Sequence, residues 1–532
     1  MEPDAEHFFI EESSKLSESR IWPLLEDYYK SASISAWNQI PFYPTSNPFI
    51  AETYADIILN FVRDYKENID FEKPLYILEM AAGTGCFSFY LLKELKKRKE
   101  YFPWFKQLNL QYIMADFTAE NQKNWNANPR FTPFRKEGWL QFGVFKPQDD
   151  LHVIEAESGT VLLDKSNCAN PLIAIANYFF DSIKQDAFQV DQHKLLEVKQ
   201  RFQCKRDPED PAAIKFETMH KTGTETYLEV GVDYYEDARM NNVLKDYVQS
   251  FESASIIFPL GAFNCISNLL AISSDNLVLI SSDKGFTDEN YVKGRREQPF
   301  VAHHGIFSYS VNYDAIRRYF LALGGASMNT TDDNLSVSTA VNFLLAKPCE
   351  LAGSRFNFED KVDRQNLSNY LYFMQDLLIE LEPKKSNEVL RACMGYVQLC
   401  NYDPIVFCLA APRIYFGLET ITSSQAHRLL EIIARVRENF FSVQQQYDVF
   451  YWIGRIYYGM SKLEDALKAF ADSLLTFGAS SSALYYTAAC YEVKQEYKTA
   501  LRYYKDTLEL EPGCEFTQGG IKRVEALLLG KE

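Results

Sequence analysis

Residues 74–92 read PLYILEMAAGTGCFSFYLL. A short apolar run, Leu75 to Leu78, meets an acid, Glu79, then a turn of small residues, Ala81, Gly83 and Gly85, then apolar residues at helical spacing from about Phe87. That order predicts strand, tight turn, helix. Glycines allow left-handed backbone and a close ligand approach, and the turn delivers the chain to a helix N-terminus whose N–H groups lack partners. In open α/β sheets such a turn is a ligand site; a ligand-free strand–helix connection is the bland alternative.

The acid separates the ligand classes. A carboxylate at the strand end repels a pyrophosphate but helps position a cationic amine, and Ser88 stands where a GxGxxG fingerprint needs its third glycine. S-adenosylmethionine, with an ammonium and a sulfonium, suits the turn better than NAD.

A chain of 532 residues, 47% of them hydrophobic, is expected to hold more than one domain with sizeable cores. A net charge of −17 argues against a general binder of nucleic acid or anionic membrane. Ten cysteines without a CxxC pair read as reduced core residues, with no zinc site, and point to the cytoplasm. The acidic start, MEPDAEHFFIEESS, has no targeting character, and no apolar run is long enough to span a membrane.

Residues from about 17 to 40 have helical spacing broken by Pro23 and predict an N-terminal helical lid or arm. A polar loop, Thr45, Ser46 and Asn47, then precedes Pro48 and a strongly amphipathic helix. Asn47 reads either as the cap of that helix or as a group over the ligand. The basic stretch at 93–99 reads as a solvated helix end. A second strand, Leu110 to Ala115, ends at Asp116, whose carboxylate would accept from both ribose hydroxyls or simply cap a helix. A third strand is expected near Leu140 to Phe145, and a fully apolar one over 171–176, typical of a buried parallel strand. Asn177 and Asp181 follow it, at the end that faces a ligand crevice, and are the best candidates for chemistry. Residues 184–255 read as an inserted cap, after which strands are expected over 276–281 and 337–345. His303 and His304, adjacent, project in different directions and make a poor metal pair.

Beyond about Leu351 the pattern is helix after helix. Aligning 447–480 with 481–514 gives the 34-residue tetratricopeptide period, with Gly454 over Ala488, Tyr457 over Tyr491, Ala466 over Ala500 and Phe470 over Tyr504. Two units are too few for a solenoid, so degenerate helical pairs are expected over 359–446 and a capping helix over 515–530. Such a surface is expected to bind a protein or peptide. Cys393, Cys400 and Cys408 fall in apolar helical stretches and read as core.

With these blocks in order, segment 40–345 resembles the MidA-type family of class I S-adenosylmethionine-dependent methyltransferases, whose mitochondrial members assist respiratory complex I assembly. The resemblance implies an α/β, Rossmann-like class I methyltransferase domain, which the chain would hold over 61–350, with a cap inserted at 184–255 and an arm at 1–60; the 34-residue period adds an all-α tetratricopeptide-type solenoid at 351–532. That solenoid is not part of the family's usual pattern. The sequence departs from the family at Ala81, where it has glycine, at Tyr178, where it has glutamate, and at Lys184, where it has proline. Expected roles are Glu79, Ala81, Gly83, Gly85 and Asn47 around the methionine part of the cofactor, Asp116 at the ribose, and Asn177 with Asp181 near the methyl acceptor. The family's activity is arginine methylation of a protein; with Tyr178 in place of its acid, a second carboxylate for a guanidinium would come from the cap, at Glu229. A catalytically inactive scaffold and a small-molecule methyltransferase are the rival readings.

Overall fold

The computed structural model describes residues 6–32, 43–207, 209–210, 213–222, 225–294, 300–303, 306–331, 337–372, 385–442 and 447–530. His304 and residues 33–40 of the expected arm lie outside them. Two compact units result, Met1–Leu371 and Tyr372–Glu532. The first therefore runs past the boundary expected near 351. The reason is local: at the end of helix Pro48–Tyr65, the Asp64 carboxylate accepts from the backbone N–H groups of Gly353 (3.2 Å) and Ser354 (2.6 Å) and from Ser354 Oγ (2.8 Å), tying down helix Ala352–Asn357.

The expected apolar runs and one strand not foreseen, β6, form the main sheet: β1 (Leu75–Met80), β2 (Leu110–Asp116), β3 (Leu140–Val144), β4 (Leu172–Asn177), β5 (Leu277–Asp283), β6 (Ala326–Asn329) and β7 (Ser338–Leu344). Their order is β6-β7-β5-β4-β1-β2-β3, continued beyond β3 by two short strands, Val153–Ile154 and Val161–Leu163. The first five are parallel to one another, while β7 runs antiparallel to both β5 and β6. Alternate residues of β1 and β4, Tyr76, Leu78 and Met80 with Leu172, Ala174 and Ala176, enter one core with helix Leu260–Ser273. Leu75, Ile77, Ile173 and Ile175 between them are buried as well, the signature of a sheet covered on both faces. The chain leaves β1 toward β2 and leaves β4 toward β5, on opposite sides, so a crevice opens at the carboxyl ends of this adjacent pair.

The inserted region is a second sheet rather than isolated pieces. Strands Asp186–Asp191, Lys194–Gln200, Thr226–Val230 and Ser253–Phe258 pair antiparallel, and Ser14–Lys15 from the chain start adds to Lys199 and Gln200. His7–Phe9 pairs likewise with Phe202–Lys205. The N-terminal arm is thus two short strands plus helix Ile21–Ala32, whose Ile21, Trp22 and Leu25 are buried in the common core. The stretch at 93–99 is not wholly solvated either. Arg98 is buried and pairs with Asp56 (2.5 Å) and Glu94 (2.6 Å), an arginine fork locking helix Cys86–Tyr101 to helix Pro48–Tyr65.

The second unit is all helical, with described helices Asn387–Leu399, Pro404–Gly417, Ser423–Asn439, Val449–Gly459, Leu463–Phe477, Ser481–Val493, Tyr497–Leu510 and Glu515–Leu529. Most of the repeat positions are buried, while Tyr457 and Tyr491 are half-buried. Ala466, Phe470, Ala488, Ala500 and Tyr504 are fully buried, and Cys393, Cys400 and Cys408 are buried too. A Cβ on Gly454 would lie 2.5 Å from the Phe470 ring. Gly454→Val should therefore destabilise the helical unit by about 1–3 kcal/mol through overpacking. Urea unfolding followed by helical circular dichroism checks this; an unchanged midpoint contradicts it.

Candidate functional site

The mouth of the crevice is built from strained backbone. Ala81, Gly83 and Gly85 after β1 take φ of 52°, 52° and 79°, and Tyr178 after β4 takes 45°. For Ala81 and Tyr178 the left-handed region costs about 1–2 kcal/mol each, and such residues gather at functional sites. Gly85 has a second constraint: a Cβ there would come within 2.8 Å of Met114 and Phe131. Its neighbours are core side chains, so a larger residue at Gly85 would meet both a disfavoured backbone angle and a packing clash.

A cavity of about 590 Å³ lies over these strand ends, lined by Ala81, Asp116, Phe117, Gln148 and Tyr178 among others. Beside it a recess of about 30 Å³ shares Ala81 and Tyr178 and is lined also by Ser46, Glu79, Gly83 and Asn177. Trp22 and Tyr29 of helix Ile21–Ala32 form the wall opposite the sheet. The helix was expected as a lid or arm; what the sequence did not single out is that Trp22 and Tyr29 are side chains that line the cavity.

Each expected site residue has a definite place. Glu79 is buried at the recess; its Oε2 accepts from Tyr112 OH at 2.6 Å and from Ser88 Oγ, and no hydrogen bond to Oε1 forms among the described residues. Ser88, which breaks the dinucleotide fingerprint, thus holds the acid in place. Burial raises the Glu79 carboxyl from 4.5 to about 7, against the opposing pull of those two hydroxyls.

Asn177 Oδ1 accepts from Tyr54 OH at 2.6 Å, and Tyr54 also meets Ser282 Oγ at 2.8 Å. Among the described residues, the buried Asn177 amide nitrogen has no acceptor. Gln148 Oε1, in the larger cavity, is likewise buried without a donor. Orphaned polar atoms of this kind cost about 1–3 kcal/mol unless a ligand meets them.

Asp116 is buried at the end of β2. It lines the cavity, and its carboxylate accepts from Gly83 N–H (3.2 Å), Asn121 Nδ2 (3.0 Å) and Thr118 N–H (3.4 Å). Asn47, by contrast, is consumed by capping: Oδ1 accepts from Ile50 N–H at 3.1 Å, and Nδ2 donates to the carbonyls of Tyr43 (3.0 Å) and Pro44 (3.2 Å). Its neighbours Thr45 and Ser46 reach the recess instead. Asp181 is buried behind Ser182 and does not line the cavity. Glu229 sits on the edge strand Thr226–Val230, largely exposed, paired with Lys194 at 2.9 Å. The cap does not bring it to the cavity, because its strand is the outer one of the second sheet. Among the described residues, no group of three or more His, Cys, Asp or Glu could hold a metal ion, and no helix is long and apolar enough to cross a membrane.

No protein-family model matches the chain, and no curated protein matches it. Among solved structures, a COG1565 superfamily member from Burkholderia thailandensis, bound to S-adenosyl-homocysteine, is 13% identical, with 60% of this chain and 74% of that chain covered at a TM-score of 0.35. The CurJ carbon methyltransferase is 10% identical, with 61% and 70% covered at 0.26. An O-methyltransferase family protein from Burkholderia thailandensis is also 10% identical, with 60% and 71% covered at 0.24. Likeness at these scores assigns nothing by itself. The cavity's chemistry is read from its own side chains.

Glu79 gives the site a pH signature. A carboxyl with a higher pKa folded than unfolded binds more protons in the native state, so its stabilising effect is full below the unfolded value and is lost as pH rises through the folded one. Between 4.5 and about 7 the ligand-free protein should lose about 3 kcal/mol relative to Glu79→Gln, from the size of that shift. Urea unfolding of both proteins across that window checks the sign; parallel curves contradict it.

Proposed function

We propose that the chain is an S-adenosylmethionine-dependent methyltransferase. The observation that carries the reading is the recess at the β1–β4 mouth, which holds a carboxylate with an uncommitted oxygen, Glu79, and an amide N–H group with no acceptor, Asn177. Together they match the two charged groups of an α-amino acid, ammonium to Glu79 and carboxylate to Asn177. A dinucleotide fits poorly, since its pyrophosphate would meet Glu79 and Asp116.

The residues present suit the cofactor. Glu79, Asn177 and the Ala81–Gly85 turn would hold its methionine part, and Asp116 with Phe117 and Asn121 would hold the nucleoside in the larger cavity. When bound it supplies an electrophilic methyl on sulfur. What the chain adds is alignment in a cleft shielded from water: Tyr54 fixes the Asn177 amide, Ser88 and Tyr112 fix Glu79, and Trp22 with Tyr29 close the far wall. The placement of Glu229 lends a guanidinium acceptor no support.

We infer further that the helical unit is of the tetratricopeptide type and recruits a protein or peptide partner. Its 34-residue spacing, with small and aromatic equivalents at buried positions, supports this. A chain ending at Leu371 should then bind cofactor as the full chain does, while losing the proteins that co-purify with it.

Calorimetry with S-adenosylmethionine tests the main reading. Affinity should rise as pH rises through about 7, where Glu79 ionises, and the Glu79→Gln variant should lack that dependence. Asn177→Asp, which sets a carboxylate against the ligand's own, should weaken binding at least about tenfold, ~1.4 kcal/mol. Absence of any binding would leave an inactive scaffold as the function.

A further inference from the structure

In the helical unit, Arg455 of helix Val449–Gly459 is half-buried, and no carboxylate pairs with it among the described residues. Arg98, Arg239 and Arg318, also at least half-buried, each have one: Arg98 pairs with Asp56 and Glu94, Arg239 with Asp237, and Arg318 with Asp314. Around Arg455 rings stand where a counter-charge would be. Its guanidinium carbon lies 4.0 Å from the centre of the Tyr486 ring and 4.3 Å from that of Tyr415, with Tyr451 and Trp452 each at 5.7 Å. These rings come from three helices, Pro404–Gly417, Val449–Gly459 and Ser481–Val493. Nη1 donates to Tyr451 OH at 2.8 Å, and the buried Nε has no acceptor among the described residues.

The repeat itself does not call for this cation. One period further on, Tyr451 and Trp452 have the aromatic equivalents Tyr485 and Tyr486, whereas Arg455 has Ala489. The rings belong to the repeating pattern and the arginine is added to it. Aromatic faces attract a guanidinium, but that attraction offsets only part of what the charge loses on leaving water, and a buried donor without an acceptor keeps its own penalty. An anion removes the deficit; a further ring does not.

We propose that Arg455 and the rings around it form the seat for an acidic side chain, aspartate or glutamate, of a peptide segment that docks on the helical unit. The proposal rests on the partner-recruiting reading above and names the partner's chemistry. Stacking occupies the flat faces of a guanidinium and leaves in-plane N–H groups for a carboxylate, and a charge-assisted bond of this kind is stronger beside rings than in open water. The half-buried faces of Tyr451, Trp452, Tyr485 and Tyr486 receive the apolar side chains that flank the acid.

Panning a phage-displayed library of random 12-residue peptides on the full chain tests this, with the peptides joined to the phage at their C-termini so that any carboxylate they offer is a side chain. Bound clones should share an Asp or Glu at a fixed position. Clones with no common acid overturn the proposal and leave the partner reading standing; a library that yields no binder counts against both. The strongest clone, made as a fluorescent peptide, should lose affinity at least about tenfold when its acid is changed to the amide, and by a similar factor on Arg455→Gln, as expected for a broken charge pair. The two losses should not add when combined, since each removes the same contact. Arg455→Lys, which keeps the charge without the planar fork, should restore part of the affinity, and it replaces Arg455→Gln in the cycle should that variant not fold. Equal affinity for the parent and Arg455→Gln, or losses that add in full, overturn the seat.

Discussion

The Asp116 carboxylate is the joint on which the site depends. It ties the end of β2 to the Gly83 N–H in the turn after β1 and, through Thr118 and Asn121, to the start of the next helix. Trp125 Nε1 completes the brace by donating to the Gly83 carbonyl at 2.9 Å. With both sides of Gly83 held, hydrogen bonds within the protein itself support the turn's left-handed angle there. Preorganisation of this kind lowers the ordering cost of binding.

Holding the turn has costs that the rest of the first unit absorbs. Ala81 and Tyr178 sit in a disfavoured region of backbone space, Glu79 is a buried acid, and Asn177 and Gln148 carry unpaired polar atoms. These lie within one strand-end layer above a core in which β1 and β4 are buried on both faces. A rigid sheet can carry such local conflict.

How much of this was legible from sequence follows from the range of the interactions. β1, β2, β3, β4, β5 and β7 each announce themselves by an apolar run, so the sheet and its crevice could be read, and with them Glu79, Asp116 and Asn177 at strand ends. Strands His7–Phe9 and Ser14–Lys15 could not, because they are two or three residues long and their partners lie far along the chain. Side-chain direction was the other blind spot. Asn47 and Asp181 stand in the right segments, yet one is spent on a helix cap and the other is buried against Ser182. Glu229 required knowing which strand of the inserted sheet lies outermost, a property of topology that residue identity does not encode.

The pairing of Ser14 and Lys15 with Gln200 and Lys199 also bears on how the protein is made. The wall carrying Trp22 and Tyr29 leaves the ribosome well before the strand that anchors it, which lies more than 150 residues further along the chain. Contacts so distant in sequence form late and slowly. During synthesis the N-terminal segment therefore waits with Leu16, Ile21 and Trp22 uncovered, residues that become buried once the inserted sheet is complete. Exposed apolar surface on a nascent chain is where chaperones act and where aggregation starts, so the wall that closes the cavity also makes the newborn chain vulnerable.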